Sequence, residues 1–217
     1  WISEIILQQT RVQQGLSYYL KFINRFPDIY ALAEAGQDEV MAVWKGLGYY
    51  SRARHLHSTA RKIVESFGGK FPEKYEELIR LKGIGPYTAA AVASFAFGEP
   101  RPVVDGNVSR VISRLFGISI PVDSAQGKKF TEDKALEIID KNNPGTHNQA
   151  IMEFGALICT PARPACQNCP LSVKCAALSA RRTGELPVKA KVVVRSERFF
   201  NYLLVTDGTY MLVRKRR

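Results

Sequence analysis

Residues 76–113 read EELIRLKGIGPYTAAAVASFAFGEPRPVVDGNVSRVIS. The pattern predicts a helix ending at Lys82, a turn over Gly83-Ile84-Gly85, and a second helix from Pro86 to Phe97. A Pro-punctuated connection follows, and then an acidic residue, Asp105, opens a third helix. Gly83 and Gly85 are expected to supply the backbone angles of a tight interhelical turn. Pro86 suits a first helical position, which has no use for its missing N–H. Such a turn presents unpaired N–H groups at a helix N-terminus with no side chain over them, a surface that attracts anions. A Gly-x-Gly turn alone is an ordinary helix corner; with an aspartate at this distance, that plainer reading loses ground.

A chain of 217 residues can bury a substantial core in one large or two small domains. No apolar run approaches the roughly 20 residues that span a bilayer, and the start lacks a signal-peptide layout, so a soluble intracellular protein with no membrane partner is expected. The net charge of +11 is unevenly placed: residues 181–217 carry ten Lys/Arg against three acids. That excess suggests a polyanionic partner, although many basic tails are merely solvated. The chain starts at Trp1 inside an apolar-periodic run and ends in Arg-Lys-Arg-Arg just past an apparent hairpin, so a fragment is expected.

Apolar residues at helical spacing run from Ile5 to Phe26 and are closed by Pro27. Further helices are predicted over Asp38–Leu47, over Tyr50–Phe67 with one face made basic by Arg52, Arg54, Arg61 and Lys62, near Glu132–Asn142, and over Asn148–Ile158. Everything to about residue 180 reads as helix and loop. Arg181–Ser196 reads as a linker. Phe199–Val205 and Tyr210–Val213 flank Asp207-Gly208, a strong hairpin signal.

All four cysteines fall in one segment, Cys159, Cys166, Cys169 and Cys175, spaced C-x6-C-x2-C-x5-C. Four thiolates in so short a loop can close around one metal centre. Disulfides are disfavoured inside a cell, and zinc remains an alternative to an iron–sulfur cluster. Arg163 and Lys174 on this loop could face a phosphate or simply solvent.

Glu4 stands among apolar residues, where a carboxyl resists ionisation and can act as a general acid; alone, it reads as a first-turn helix charge. Asp105 alone reads as an N-cap. Together they offer the contrast that cleavage of a glycosidic bond needs: one carboxyl protonated to activate the leaving base, the other ionised beside an oxocarbenium-like sugar.

Leu81-Lys82-Gly83-Ile84-Gly85 with Thr88-Ala89 resembles the helix-hairpin-helix of DNA repair glycosylases, and Val103-Val104-Asp105-Gly106-Asn107-Val108 resembles their catalytic aspartate segment. The cysteine spacing after Gly155-Ala156-Leu157-Ile158 is similar to the [4Fe-4S] loop of the endonuclease III family. Adding Glu4 with Leu7-Gln8-Gln9-Thr10, Gly46-Leu47-Gly48-Tyr49-Tyr50-Ser51-Arg52 and Gly85-Pro86-Tyr87-Thr88-Ala89, the run from Trp1 to about Val188 resembles the adenine DNA glycosylase (MutY) family.

The resemblance implies a mostly α helix-hairpin-helix glycosylase fold. Its expected divisions are a helical domain over 1–100, a cluster-bearing helical subdomain over 101–180, a linker over 181–198, and the start of a β-containing, Nudix-like C-terminal domain over 199–217. It implies one [4Fe-4S] cluster on the four cysteines. It also implies a monomer acting on double-stranded DNA in the bacterial cytoplasm or nucleoid, removing adenine opposite 8-oxoguanine or guanine. By position, Glu4 would protonate adenine, Asp105 would stabilise the sugar cation or its adduct, Asn107 would orient groups around the sugar, and Tyr87 would line the site. Gln9 or Gln8, with Tyr49, would enter the base stack, and Gly83, Gly85, Thr88 and Arg163 would contact DNA. Bifunctional relatives place a lysine where Tyr87 stands, and a phenol cannot form a Schiff base, so a monofunctional enzyme is implied. If the C-terminal domain is missing, weakened 8-oxoguanine discrimination is expected. A thymine or uracil mismatch glycosylase is the nearest rival reading, and a DNA-binding module without chemistry is the rival outside enzymology.

Overall fold

The computed structural model describes residues 1–190, 199 and 202–212. Its first half contains α1 (Ile2–Ile6), α2 (Val12–Arg25), α3 (Ile29–Glu34), α4 (Gln37–Trp44) and α5 (Ser51–Phe67). The hairpin region follows as α6 (Tyr75–Leu78) and α7 (Pro86–Phe97). The second half contains α8 (Gly106–Phe116), α9 (Ala125–Ile138), α10 (Pro144–Leu157) and, past the cysteine loop, α11 (Ala176–Ser179). None of these helices is long and apolar enough to cross a membrane.

The middle of α7 is buried on every side: Thr88 through Ser94 are all covered, and Ala89, Ala91 and Ala93 are fully so. A helix apolar all round belongs at the centre of a protein, and its alanines let neighbours approach closely. On one side α7 meets α6, with Leu78, Leu81, Ile84 and Val92 packed around Ile63 of α5. On the other it meets α10, which in turn lies along α8. A core of Ile5, Ile6, Phe22, Phe26, Leu32, Trp44 and Leu56 joins α1 to α5. Each large side chain so buried contributes roughly 1.5–3 kcal/mol. Val108, Ile112, Ile118 and Ala135 form a separate core between α8 and α9.

Three differences from the expected elements matter for the site. The run Ile5–Phe26 is not one helix: it breaks between Ile6 and Val12, where Gln9 takes a left-handed conformation (φ 55°). The helix before the hairpin ends at Leu78, four residues short of Lys82, and turns carry the chain to Gly83. Gly83 is left-handed at φ 79°, but Gly85, at φ −87° and ψ 177°, adopts an extended conformation open to any residue. The later helices are also displaced, α9 beginning at Ala125 and α10 at Pro144.

Asp207-Gly208 does turn the chain, with Gly208 at φ 94°, the Asp207 N–H donating to the Tyr210 carbonyl, and an antiparallel bridge between Thr206 and Met211. Among the described residues the pairing goes no further than this bridge and the Leu212 N–H to Val205 O bond. Residues 191–198, 200 and 201, and 213–217, which include parts of the expected linker and hairpin, lie outside the described residues.

Candidate active site and metal centre

Glu4 lies on α1, half-buried beside Ile5 and Ile6. Burial raises its pKa above the ordinary carboxylate value, opposed in part by the nearby Tyr87 hydroxyl. Tyr87, in the first turn of α7, lies close enough to Glu4 for the phenol and the carboxyl to shift one another's protonation. Burial, then the charges of Glu4 and Asp105, push its pKa far above the usual tyrosine range, so the hydroxyl keeps its proton. Both carboxyl groups therefore act on one phenol, although about a hundred residues separate them in the chain.

Asp105 is the N-cap of α8. Its Oδ1 accepts from the Val108 N–H at 2.7 Å and its Oδ2 from Asn107 Nδ2 at 2.9 Å. Asn107 is held from its other end, where its Oδ1 accepts from Arg110 Nη2 at 2.9 Å. Arg110 continues inward, donating to the carbonyls of Gly155 (2.6 Å) and Cys159 (2.6 Å). Gly155 has no side chain here because a Cβ would come within 2.8 Å of Asn107. Asp105 and Asn107 line a cleft of about 590 Å³ whose wall carries Arg110, Lys128 and Lys189; Glu4 and Tyr87 are not among its lining residues.

Gln8 and Gln9 part company. Gln8 turns inward, its Nε2 donating to Thr88 Oγ1 at 3.2 Å, and Thr88 is itself buried. Gln9 is exposed on its left-handed backbone. Tyr49 shares both properties, at φ 48° and 61% exposed. At the hairpin, Thr59 Oγ1 donates to the Lys82 carbonyl at 2.6 Å and anchors the turn to α5. No side chain caps the N-terminus of α7, and a Cβ at Gly85 would meet nothing within 4 Å, so the N–H groups there stay open.

All four cysteines line one cavity, together with Arg114, Ile158 and Leu178. Arg114 Nη1 lies 3.4 Å from Cys159 Sγ, and the same guanidinium donates to the carbonyls of Thr160 (2.7 Å), Pro161 (2.8 Å) and Leu186 (3.0 Å). The Cys166 thiol is pushed up by burial and then by the other three cysteines, with Arg114 opposing. Four thiols around one cavity are a donor set that can hold a tetrahedral zinc or an iron–sulfur cluster. Arg163 and Lys174 on this loop are exposed.

The basic face expected of α5 misplaces one member. Arg52 is buried, 9% exposed, and reaches back to α1. Arg52, Arg110 and Arg114 are the functional residues that charge patterning passed over. The available signal was spacing, since Arg52 falls on the stripe of Leu56, Thr59 and Ile63.

Residues 2–140 match the HhH-GPD superfamily of base excision DNA repair proteins. The chain belongs to this family. It is similar to the adenine DNA glycosylase of Mus musculus (43% identical over 187 residues, 86% of this chain and 36% of the relative) and to that of Homo sapiens (45% over 178 residues, 82% and 33%). The adenine DNA glycosylase of Buchnera aphidicola subsp. Baizongia pistaciae is 37% identical over 223 residues, covering the whole chain and 62% of the relative. The chain thus spans about a third of the length of the mammalian relatives. Among solved structures it resembles a thermostable thymine-DNA glycosylase (TM-score 0.75, 30% identity, 82% of each chain). It shares the fold of endonuclease III in a non-covalent DNA complex (TM-score 0.70, 24% identity, 83% of each chain). The mostly helical, hairpin-bearing fold expected from residues 76–113 is the one found.

Proposed function

We propose that this chain is the catalytic core of a monofunctional adenine DNA glycosylase of base excision repair, releasing adenine opposite 8-oxoguanine or guanine. The observation that carries the reading is the carboxylate of Asp105, held by Asn107 and the Val108 N–H at the edge of a cleft, with half-buried Glu4 bearing on Tyr87 together with it.

Adenine inside a duplex is out of reach, so Gln9 and Tyr49, exposed on strained backbone, enter the stack as the base is extruded. The open N–H groups of the α7 N-terminus and the Gly83–Gly85 turn receive a backbone phosphate. Glu4, whose proton burial holds more tightly than that of an exposed carboxyl, donates to adenine N7. The C1′–N9 bond then breaks, its electron pair leaving with the base and positive charge developing at C1′. The carboxylate of Asp105, oriented by Asn107 and the Val108 N–H, stabilises that charge or closes on it as an adduct, which water resolves. Tyr87 stands beside Glu4 and offers no amine, so strand cleavage through a Schiff base does not follow.

The four cysteines would hold a [4Fe-4S] cluster, which when bound would cross-link residues 159–175. Arg114 and Arg110 hold this loop against α8, the helix that Asp105 caps.

The test is a duplex carrying a single A opposite 8-oxoguanine, incubated with the protein and then treated with alkali. Breakage at the adenine requires an abasic site; absence of breakage leaves only a DNA-binding protein. A parallel duplex with T opposite G addresses the thymine-DNA glycosylase likeness, and preferential release of thymine there would replace the adenine assignment.

A further inference from the structure

The guanidinium of Arg52 is deeply placed for a cation, and among the described residues no carboxylate pairs with it. Its partners are backbone carbonyls from two separate loops. Nη1 donates to Ile5 O (3.0 Å), Ile6 O (2.9 Å) and Gln8 O (2.6 Å), the uncapped C-terminal carbonyls of α1 and the start of the Gln8–Gln9 turn. Nη2 reaches Gly48 O at 3.4 Å, and the guanidinium lies 5.2 Å from the Tyr49 ring. Its Nε is buried without a partner. A helix C-terminus favours a cation, and an apolar side chain here would leave the carbonyls of Ile5, Ile6, Gln8 and Gly48 without this donor. Because these carbonyls belong to two segments some forty residues apart, one guanidinium couples the position of each segment to the other.

Both loops that Arg52 grips carry a non-glycine residue in the left-handed region, Gln9 at φ 55° and Tyr49 at φ 48°. Such conformations persist only where the surroundings impose them. We propose that Arg52 is a positioning residue that makes Gln9 and Tyr49 one wedge, fixing the spacing at which the two side chains meet the base stack. This rests on the reading of Gln9 and Tyr49 as the stack-entering residues. A planar fork can span two loops; a lysine ammonium reaches one.

The test compares wild type, Arg52→Lys and Arg52→Met in the full-length protein with its metal centre loaded. Amide hydrogen exchange on the free protein is expected to speed up in residues 7–10 and 46–50 together in Arg52→Met, with the exchange of α7 unchanged. Arg52→Lys should restore protection in one loop only. Single-turnover adenine release should fall about 100-fold in Arg52→Met, as for a misplacement of roughly 1 Å, while affinity for undamaged duplex stays within about threefold. Adding Tyr49→Ala to Arg52→Met should cost little more, because the tyrosine no longer acts from its set position. Unchanged exchange in either loop, or losses of Arg52→Met and Tyr49→Ala that simply add, would overturn the proposal. Should Arg52→Met not fold, Arg52→Lys and the Tyr49→Ala cycle on it give the same decision. Because exchange is read without substrate, a wild-type protein that releases no adenine would sink the functional reading while the coupling of the loops is still decided.

Discussion

Glu4 and Asp105 carry the same functional group in opposite surroundings. Glu4 stands on a five-residue helix against the core of Ile5 and Ile6, and burial is what raises its pKa. Asp105 stands at a helix N-terminus with a donor on each oxygen. Each half of the site also has its own buried arginine. Arg52 ties the glutamate side to the turns at Gln8 and Gly48, whereas Arg110 and Arg114 tie the aspartate side to the cysteine loop. The difference teaches how surroundings divide two like groups: burial raises the carboxyl on the apolar side, donors fix the one on the polar side, and the charges of both bear on Tyr87.

Removing either carboxyl is the harshest way to break that comparison. Glu4→Gln should lower single-turnover adenine release by about 10²–10⁴-fold, the range for a positioned general acid, with duplex affinity preserved. Asp105→Asn should lose a comparable factor. Their pH behaviour should differ from that of the parent. Wild-type release should fall as pH climbs through the raised pKa of Glu4, and the residual rate of Glu4→Gln should lose that limb. Stability follows the same sign: the folded state holds this proton more tightly than the unfolded chain, so its contribution is present at low pH and declines as pH rises above the ordinary carboxylate range. A Glu4→Gln profile parallel to wild type in both measurements would show that the two carboxyl groups do not differ.

The aspartate side should yield to changes made far from it. Cys169→Ser removes one of four thiols around the shared cavity and is expected to cost iron and acid-labile sulfide, with a large drop in melting temperature. Full stability without metal would make the loop an ordinary surface segment. Arg110→Met is milder. It leaves Asn107 Oδ1, Gly155 O and Cys159 O without their donor, and hydrogen bonds from a charged group are worth about 1.5–3 kcal/mol each. Denaturant titration should show a loss of a few kcal/mol, and adenine release should drop more than duplex affinity does.

How much of this was legible beforehand depended on whether the cause was local. The hairpin, the Asp105 cap and the cysteine loop are written in short spacings, and Pro86–Phe97 is observed with the bounds its sequence predicts. The break between α1 and α2 was not legible, because the apolar period runs on through it. What stops the helix is the left-handed Gln9 and a guanidinium arriving from a residue more than forty positions away. Arg52 was misread as surface for the same reason: a charge on a helix reads as solvated until the opposing carbonyls are seen. Gly85 was read as conformationally special although only its neighbour is.

That pair of glycines gives the finest test, separating shape from chemistry within one turn. Gly83→Ala places a Cβ in the left-handed region, at a cost of about 1–2 kcal/mol, and sets it 2.6 Å from His55 Cβ, an atom with little freedom to move away. The variant should unfold at lower denaturant, and its DNA affinity should fall because the turn itself shifts. Gly85→Ala meets no such obstacle. Its φ of −87° is open to alanine, and its new methyl touches nothing within 4 Å, so stability should hold or rise by about 0.4–1 kcal/mol through the unfolded chain. The same methyl adds bulk at the N-cap position of α7, however, beside its uncapped end, and a phosphate seated on that turn should be held less closely. Duplex binding should therefore weaken in Gly85→Ala without any loss of fold, measured as a higher Kd beside an unchanged melting curve. Wild-type affinity in Gly85→Ala would mean that phosphate contacts fall elsewhere, and the basic wall formed by Lys128 and Lys189 beside Asp105 would be the next place to look.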